Sequence, residues 1–138
     1  MKNGQTIIKP TGFGGNSYLI LSLLYPDRDW KGKKFHEDHI FPKSEFTVAK
    51  LKLRGYDTDK IIDYQKHFNT IANLQLLTDS ENLEKSAEDF ETWFATRDAN
   101  FKDRNIIPTI STYNFDNFLE FIAERKKILK LKLEMFTI

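Results

Sequence analysis

The sequence contains no cysteine, which excludes disulfide bonds, thiolate catalysis and every cysteine-based zinc site. An excess of charge of one sign is also missing, because 21 basic and 20 acidic side chains leave a formal net charge of +1. This balance does not by itself indicate a nucleic-acid binder, so only local clusters of charge can support that function. A secreted, disulfide-stapled protein is not expected.

Long hydrophobic runs are also missing. The longest apolar stretch, Tyr18 to Tyr25, is interrupted by Ser22 and is too short to span a membrane. A signal peptide is not expected, since a glycine-rich stretch precedes this run and a Pro-Asp-Arg-Asp turn follows it. We therefore expect a soluble, cytoplasmic protein with no membrane partner.

Aromatic residues are what the chain has in quantity. Twelve phenylalanines and two tryptophans among 138 residues supply enough apolar area for one compact core. Residues 1–16 hold four of the six glycines and are predicted to be a flexible N-terminal segment. They do not form a phosphate-binding loop, because no Lys-Ser/Thr pair follows the glycines. Residues 17–138 are then predicted to form a single domain.

Hydrophobic periodicity predicts a mostly helical α+β fold. The first half is predicted to contain helices over 17–25, 44–55 and 58–68 and a strand over 33–38, which ends before Pro42. The second half is predicted to contain a strand over 71–78, a helix from about residue 80, a connector over 101–108 and a long helix over 116–135. The apolar face of the helix over 58–68 is predicted to carry Ile61, Ile62, Tyr64 and Phe68. That of the helix from about residue 80 is predicted to carry Leu83, Ala87, Phe90 and Phe94, and that of the long helix Phe118, Leu119, Ile122, Leu129 and Leu133.

The stretch "HEDHIFPKS" holds two of the three histidines in the chain. The adjacent side chains of Asp38 and His39 diverge on an extended chain, so they suit opposite sides of one reacting group. In-line displacement at phosphorus needs that layout. His39 has the pKa range of a general base, and the Asp38 carboxylate suits a hard cation such as Mg²⁺.

A second oxygen ligand is available after the second predicted strand. Asn82, Lys85 and Ser86 share one helix face at the i, i+3, i+4 spacing, and Asn73 precedes them in the strand signal. A helix N-terminus is also a favourable place for a phosphate. These residues extend the candidate site beyond Asp38 and His39.

Together these residues carry a resemblance. Asp38-His39-Ile40 with Pro42, then Asn73-Leu74, then Asn82 with Lys85, resembles the HNH nuclease motif of the ββα-metal fold. The resemblance implies that His39 is the general base and that Asp38 and Asn82 bind Mg²⁺ or Mn²⁺. It implies that Asn73 braces the turn and holds the imidazole in the useful tautomer. No structural zinc is expected, because the cysteine knuckles of many HNH proteins are missing.

The resemblance extends over most of the chain. From Ser17 to about Phe136, with Trp93, Ile106 to Pro108 and the last helix, the chain is similar to the C-terminal HNH domain of GmrSD-type restriction proteins. This implies a metal-dependent endonuclease that cuts DNA phosphodiesters in the restriction of phage or foreign DNA. It also implies, as a partner outside this chain, a ParB-like nucleotide-hydrolysing domain or subunit. We therefore expect a fragment or half of a larger restriction protein.

Several residues keep alternative interpretations. Lys85 and His36 are predicted to contact substrate, but Lys85 could lie on a solvated helix face and His36 could be a surface histidine. The lysines at 31, 33 and 34 could contact a DNA backbone. Two other functions stay open. One is a non-catalytic nucleic-acid-binding module that retains the fold, and the other is a structural zinc domain built on His36, His39 and His67.

Overall fold

The computed structural model describes residues 16–25 and 35–135. In the first half these residues form helix α1 (Asn16–Leu24), strand β1 (Phe35–His39), helix α2 (Val48–Leu53) and helix α3 (Thr58–His67). In the second half they form strand β2 (Leu74–Thr78) and helices α4 (Asp79–Lys85), α5 (Phe90–Phe94), α6 (Ala99–Arg104) and α7 (Phe118–Glu134). Short 3₁₀ turns lie at Lys43–Phe46, Ile71–Asn73 and Phe115–Asn117. The α+β fold class predicted from the sequence is confirmed for this part of the chain.

Some predictions fall on other parts of the chain. The flexible segment predicted for residues 1–16 lies outside the described residues, apart from Asn16, which begins α1. The lysines at 31, 33 and 34 and the predicted start of the first strand also lie outside them. Within the described ranges, no helix is both long and apolar enough to cross a membrane.

The two strands form one small antiparallel sheet. His39 at the end of β1 lies opposite Leu74 at the start of β2, and Phe35 lies opposite Thr78. Helix α4 follows β2 directly and contacts both strands. Residues at the end of β1 and on the inner face of α4 are therefore neighbours.

An aromatic core anchors the end of β1. Phe41 lies two residues beyond His39, is almost fully buried, and has its ring centroid 5.1 Å from that of Phe90. The rings of Phe118 and Phe121 on α7 lie 5.4 Å and 5.0 Å from the same ring. Offset and edge-on aromatic pairs at such distances add to the free energy of apolar burial. This packing fixes the backbone that carries His39.

The helix predicted over 44–55 is shorter than expected. Thr47, and not Ser44, is the N-cap of α2, because the Thr47 hydroxyl accepts a hydrogen bond from the backbone N–H of Lys50. Ser44 lies inside the preceding 3₁₀ turn. The predicted stop at Gly55 is confirmed, because its φ of +86° lies in the left-handed region that glycine favours.

The helix predicted after β2 is broken into two. Of the three residues Thr78, Asp79 and Ser80 that the sequence offers as cap candidates, Thr78 caps α4. Its hydroxyl accepts from the Glu81 N–H, and the Glu81 carboxylate accepts from the Thr78 N–H. Ser86 then has a positive φ of 47°, which ends α4. The predicted apolar face was wrong at Leu83, which is 79% exposed, and at Ala87, which is exposed. It is confirmed at Phe90, which is buried, and at Phe94, which packs against the core. The buried residue of α4 is Lys85.

Three smaller predictions also needed correction. Ile62 was assigned to the apolar face of α3, but it is 57% exposed. The connector predicted over 101–108 contains most of α6. The long C-terminal helix begins at Phe118, after a 3₁₀ turn, and its buried face includes the charged residue Arg125.

Candidate functional site

An open cleft of about 580 Å³ lies at the end of β1. Its lining residues are Glu37, Asp38, His39, Pro42, Lys43, Ser44, Thr47, Ser86 and Ala87. Asp38 and His39 come from β1, and the last two residues follow α4. The predicted base and the predicted carboxylate ligand therefore share one cleft.

The Asp38 carboxylate is held through one of its oxygens. Oδ2 lies 3.0 Å from Nζ of Lys85 and also accepts a hydrogen bond of 3.0 Å from Nε2 of Gln75. No hydrogen bond from a described residue reaches Oδ1. The Asp38 side chain is only 13% exposed, so both bonds lie in a region of restricted solvent access.

Lys85 was predicted to contact substrate, but its side chain is 0% exposed. Besides the Asp38 carboxylate, its ammonium donates to the backbone carbonyl of His39 at 3.1 Å. A contact with a phosphate would require the ammonium to leave both partners. In this structure Lys85 therefore fixes the end of β1 and does not line the cleft.

Sequence reasoning missed a buried polar chain behind Asp38. Gln75, whose amide donates to Asp38, accepts a hydrogen bond of 2.9 Å from the Asn105 amide, and both residues are buried. The carbonyl of Asn105 accepts from Nη2 of Arg125 at 3.3 Å. The sequence signal for this chain was a polar residue at a position where an apolar one is expected. Gln75 interrupts an apolar strand, and Arg125 lies between Ile122 and Leu129 on the apolar face of its helix.

Arg125 connects the backbone segments around this chain. Its Nη1 donates to the carbonyls of Ile71 and Ala72 at 3.0 Å and 2.9 Å, and its Nε donates to Ile106 at 3.1 Å. Burial lowers the pKa of Arg125 to about 10, so the guanidinium stays charged at neutral pH. The 3₁₀ turn that leads into β2 is thereby tied to α7.

The imidazole of His39 is partly buried and its pKa lies below the usual value. Burial is the largest cause, and the nearby ammonium groups of Lys43 and Lys85 lower the pKa further, against opposing effects of Asn69 and Asp38. Nε2 lies 2.9 Å from Oδ1 of Asn69. An amide oxygen only accepts, so this contact favours the neutral tautomer with its hydrogen on Nε2.

Asn73 braces the turn after β1, as predicted. Its Oδ1 accepts from the Phe41 N–H at 2.9 Å, and its Nδ2 donates to the carbonyls of Phe41 and Phe68 at 3.1 Å and 2.8 Å. The other predicted role, orientation of the imidazole, belongs in this structure to Asn69. Asn69 lies 30 residues from His39 in the chain, and no spacing rule pointed to it.

Asn82 and His36 are not among the described residues that line the cleft. Asn82 is half-buried one turn before Lys85, and it is missing from the described residues that line the cleft. Its side chain makes no hydrogen bond within the described part of the chain. His36 is hydrogen-bonded through Nε2 to the carboxylate of Asp79 and also does not line the cleft.

The three histidines of the zinc hypothesis have different partners. His36 contacts Asp79, His39 contacts Asn69, and Nδ1 of His67 contacts the carbonyl of Asp63 at 2.8 Å. Across residues 16–25 and 35–135, no group of three or more histidine, cysteine or acidic side chains is arranged to hold a metal ion.

The chain was also compared with known proteins. A scan against protein-family models gives no match, and a search of curated proteins finds none either. The functional interpretation therefore depends on the resemblance seen in the sequence and on the geometry of the cleft.

Proposed function

We propose that this chain is a divalent-metal-dependent HNH endonuclease domain that hydrolyses DNA phosphodiester bonds. The observation that supports this most strongly is the pairing of His39 and Asp38 in one open cleft, with the imidazole pKa below its usual value. A base that is neutral at physiological pH can accept a proton from water at once.

His39 acts as the general base in this proposal. The contact with Asn69 supports a neutral ring with its hydrogen on Nε2, and in this proposal Nδ1 takes the proton from the attacking water. General-base catalysis of this kind contributes roughly 10²–10⁴-fold to the rate. The carbonyl of His39 is held by Lys85, which limits movement of the backbone that carries the base.

The donor chemistry fits a hard divalent cation in part. Asp38 lines the cleft and its Oδ1 accepts no hydrogen bond from a described residue, and Asn82 lies one helical turn before Lys85, which contacts Asp38. Mg²⁺ or Mn²⁺ bound by these groups would stabilise the negative charge that develops on the phosphate oxygens. Lys85 and Gln75 hold the other oxygen of Asp38 and so set the orientation of its carboxylate.

The biological setting and partners are proposed from the sequence resemblance alone. Similarity to GmrSD-type restriction proteins supports a cytoplasmic role in the restriction of phage or foreign DNA. It also supports a ParB-like nucleotide-hydrolysing domain or subunit as a partner. Nucleotide hydrolysis would belong to that partner, and DNA cleavage to this chain.

One contact favours a second candidate, a non-catalytic nucleic-acid-binding module. The Lys85 ammonium neutralises the Asp38 carboxylate, which weakens its attraction for a cation. If that ion pair persists in the presence of Mn²⁺, Asp38 is a structural residue and the cleft binds DNA without cutting it.

Incubation with supercoiled plasmid tests the two candidates. We expect the chain to nick the plasmid in the presence of Mn²⁺ or Mg²⁺, with no added nucleotide triphosphate. EDTA and the His39→Ala substitution should each abolish nicking, whereas His67→Ala should not. Retarded migration of the plasmid without nicking would favour the binding module, and cutting in EDTA would contradict the metal requirement.

A further inference from the structure

One lysine lies at the surface among the described residues that line the cleft. Lys43 lines the cleft, is exposed, and makes no hydrogen bond or ion pair with another described residue. Lys85, the cation expected to contact phosphate, is buried against Asp38 instead. Lys43 is therefore the lysine whose ammonium can approach an anion in the cleft without breaking a bond.

The neighbours of Lys43 add hydroxyl groups to the same wall. Ser44 and Thr47 are exposed and line the cleft beside it. The Thr47 oxygen accepts the N–H of Lys50, which leaves the hydroxyl hydrogen able to donate. The ammonium of Lys43 and the hydroxyl groups of Ser44 and Thr47 are hydrogen-bond donors of the kind that bind phosphate oxygens.

The nearby acid does not cancel this charge. Glu45 follows Ser44, but its carboxylate oxygens lie 3.3 Å from Nζ of Lys50 and 3.3 Å from Nη2 of Arg54. Glu45 does not line the cleft. Its negative charge is balanced by those two cations, so Glu45 does not offset the charge of Lys43. The carboxylates that line the cleft are those of Glu37 and Asp38, and Asp38 is paired with Lys85.

The wall is also held in place by the core. Pro42 is buried, and its carbonyl accepts from the Glu45 N–H at 3.0 Å. Phe46 is 2% exposed and stacks on Phe68 with ring centroids 5.1 Å apart. The backbone of Lys43 is thus fixed relative to His39, and only the lysine side chain has to be ordered by a ligand.

We propose that Lys43, together with Ser44 and Thr47, forms a phosphate-binding wall that holds the DNA backbone beside the phosphodiester bond to be cut. This inference rests on the proposed nuclease function and assigns its substrate contact. The ligand chemistry is a backbone phosphate of duplex DNA, recognised through charge and hydroxyl donors and without base contacts. The side chains of Ser86 and Ala87, which also line the cleft, are small and leave room for the strand.

The salt dependence of DNA binding tests the proposal separately from cleavage. Affinity for a fluorescently labelled duplex would be measured by anisotropy in EDTA at several salt concentrations. Removal of one phosphate contact should make the slope of log K against log salt shallower by about 0.9. We expect that change in Lys43→Ala, and we expect Lys43→Arg to keep the slope of the parent.

Lys130→Ala is the matched control, because Lys130 is exposed on α7 and is not a cleft residue. It removes the same charge, and its slope should stay at the parent value. Equal slopes for Lys43→Ala and the parent, an equal loss in Lys130→Ala, or no binding of the duplex by the parent would overturn the proposal. A parent chain that binds the duplex but never nicks plasmid would refute the nuclease function. The change of salt slope in Lys43→Ala would then still show that Lys43 contacts a DNA phosphate.

Discussion

The ammonium of Lys85 lies 3.0 Å from Oδ2 of Asp38, and the lysine side chain is completely buried. The expected phosphate contact and the expected metal ligand are thus bonded to each other. Asp38 lines the cleft, and the buried ammonium of Lys85 orients its carboxylate and offsets its negative charge. If a divalent cation displaces the Lys85 ammonium from Asp38, the residues form a nuclease site. If it does not, they form a structural ion pair.

Lys85→Met tests that pair. Removal of one partner of a buried ion pair leaves the other uncompensated and costs on the order of 3 kcal/mol of unfolding free energy. Mn²⁺ should then raise the Tm of the variant by more than that of the parent, because the competing ammonium is gone. Lys130→Met, on the surface of α7, should leave both values unchanged. A variant whose Tm does not respond to Mn²⁺ would indicate that Asp38 does not bind the ion.

Asn69 and Asn73 are expected to differ in what they support. Asn73→Ala removes three hydrogen bonds, two buried and one partly buried, and should lower the unfolding free energy by about 3 kcal/mol. Asn69 is exposed, so Asn69→Ala should leave stability nearly unchanged while lowering the nicking rate through a misoriented imidazole. Chemical denaturation and plasmid nicking on both variants check this. Full activity in Asn69→Ala would mean that the ring is oriented by another group.

The pKa of His39 gives a prediction about pH. Burial and nearby lysines hold it below 6.5 in the folded chain, so the unfolded chain binds the proton more readily. The contribution of His39 to stability is therefore complete above pH 6.5 and decreases as the pH falls from there toward the folded pKa. An NMR titration of the metal-free chain should give a value below 6.5 for His39, and a higher one in Lys43→Ala. A pKa of 6.5 or more in the parent would contradict this environment.

Local sequence signals predicted helix starts and stops, whereas contacts between residues distant in the chain could not be predicted. The cap at Thr78 and the stop at Gly55 depend on bonds within a few residues, so the sequence pattern was sufficient. The burial of Lys85 depends on partners 46 and 47 positions away in the chain, and helix periodicity placed it on a polar face. A polar residue flanked by apolar ones, such as Gln75, was the signal that should have indicated a buried network.

The same reasoning explains what was predicted of the site. Asp38 and His39 are adjacent in the chain, so their shared location at the cleft followed from the sequence once β1 was recognised. The contact of Asn69 with His39 requires the fold to bring the end of α3 beside the end of β1. Lys43 was overlooked because one lysine after a proline has no distinctive pattern.

The central claim, that His39 is the base and that Asp38 with Asn82 holds the cation, is tested most directly by Mn²⁺ titration of three alanine variants beside plasmid nicking. His39→Ala should bind Mn²⁺ with near-parental affinity and lose nicking, because removal of a base leaves the oxygen ligands in place. Asp38→Ala and Asn82→Ala should lose affinity and nicking together. If His39→Ala loses Mn²⁺ affinity as fully as Asp38→Ala, His39 is a ligand and the proposed division of roles is wrong.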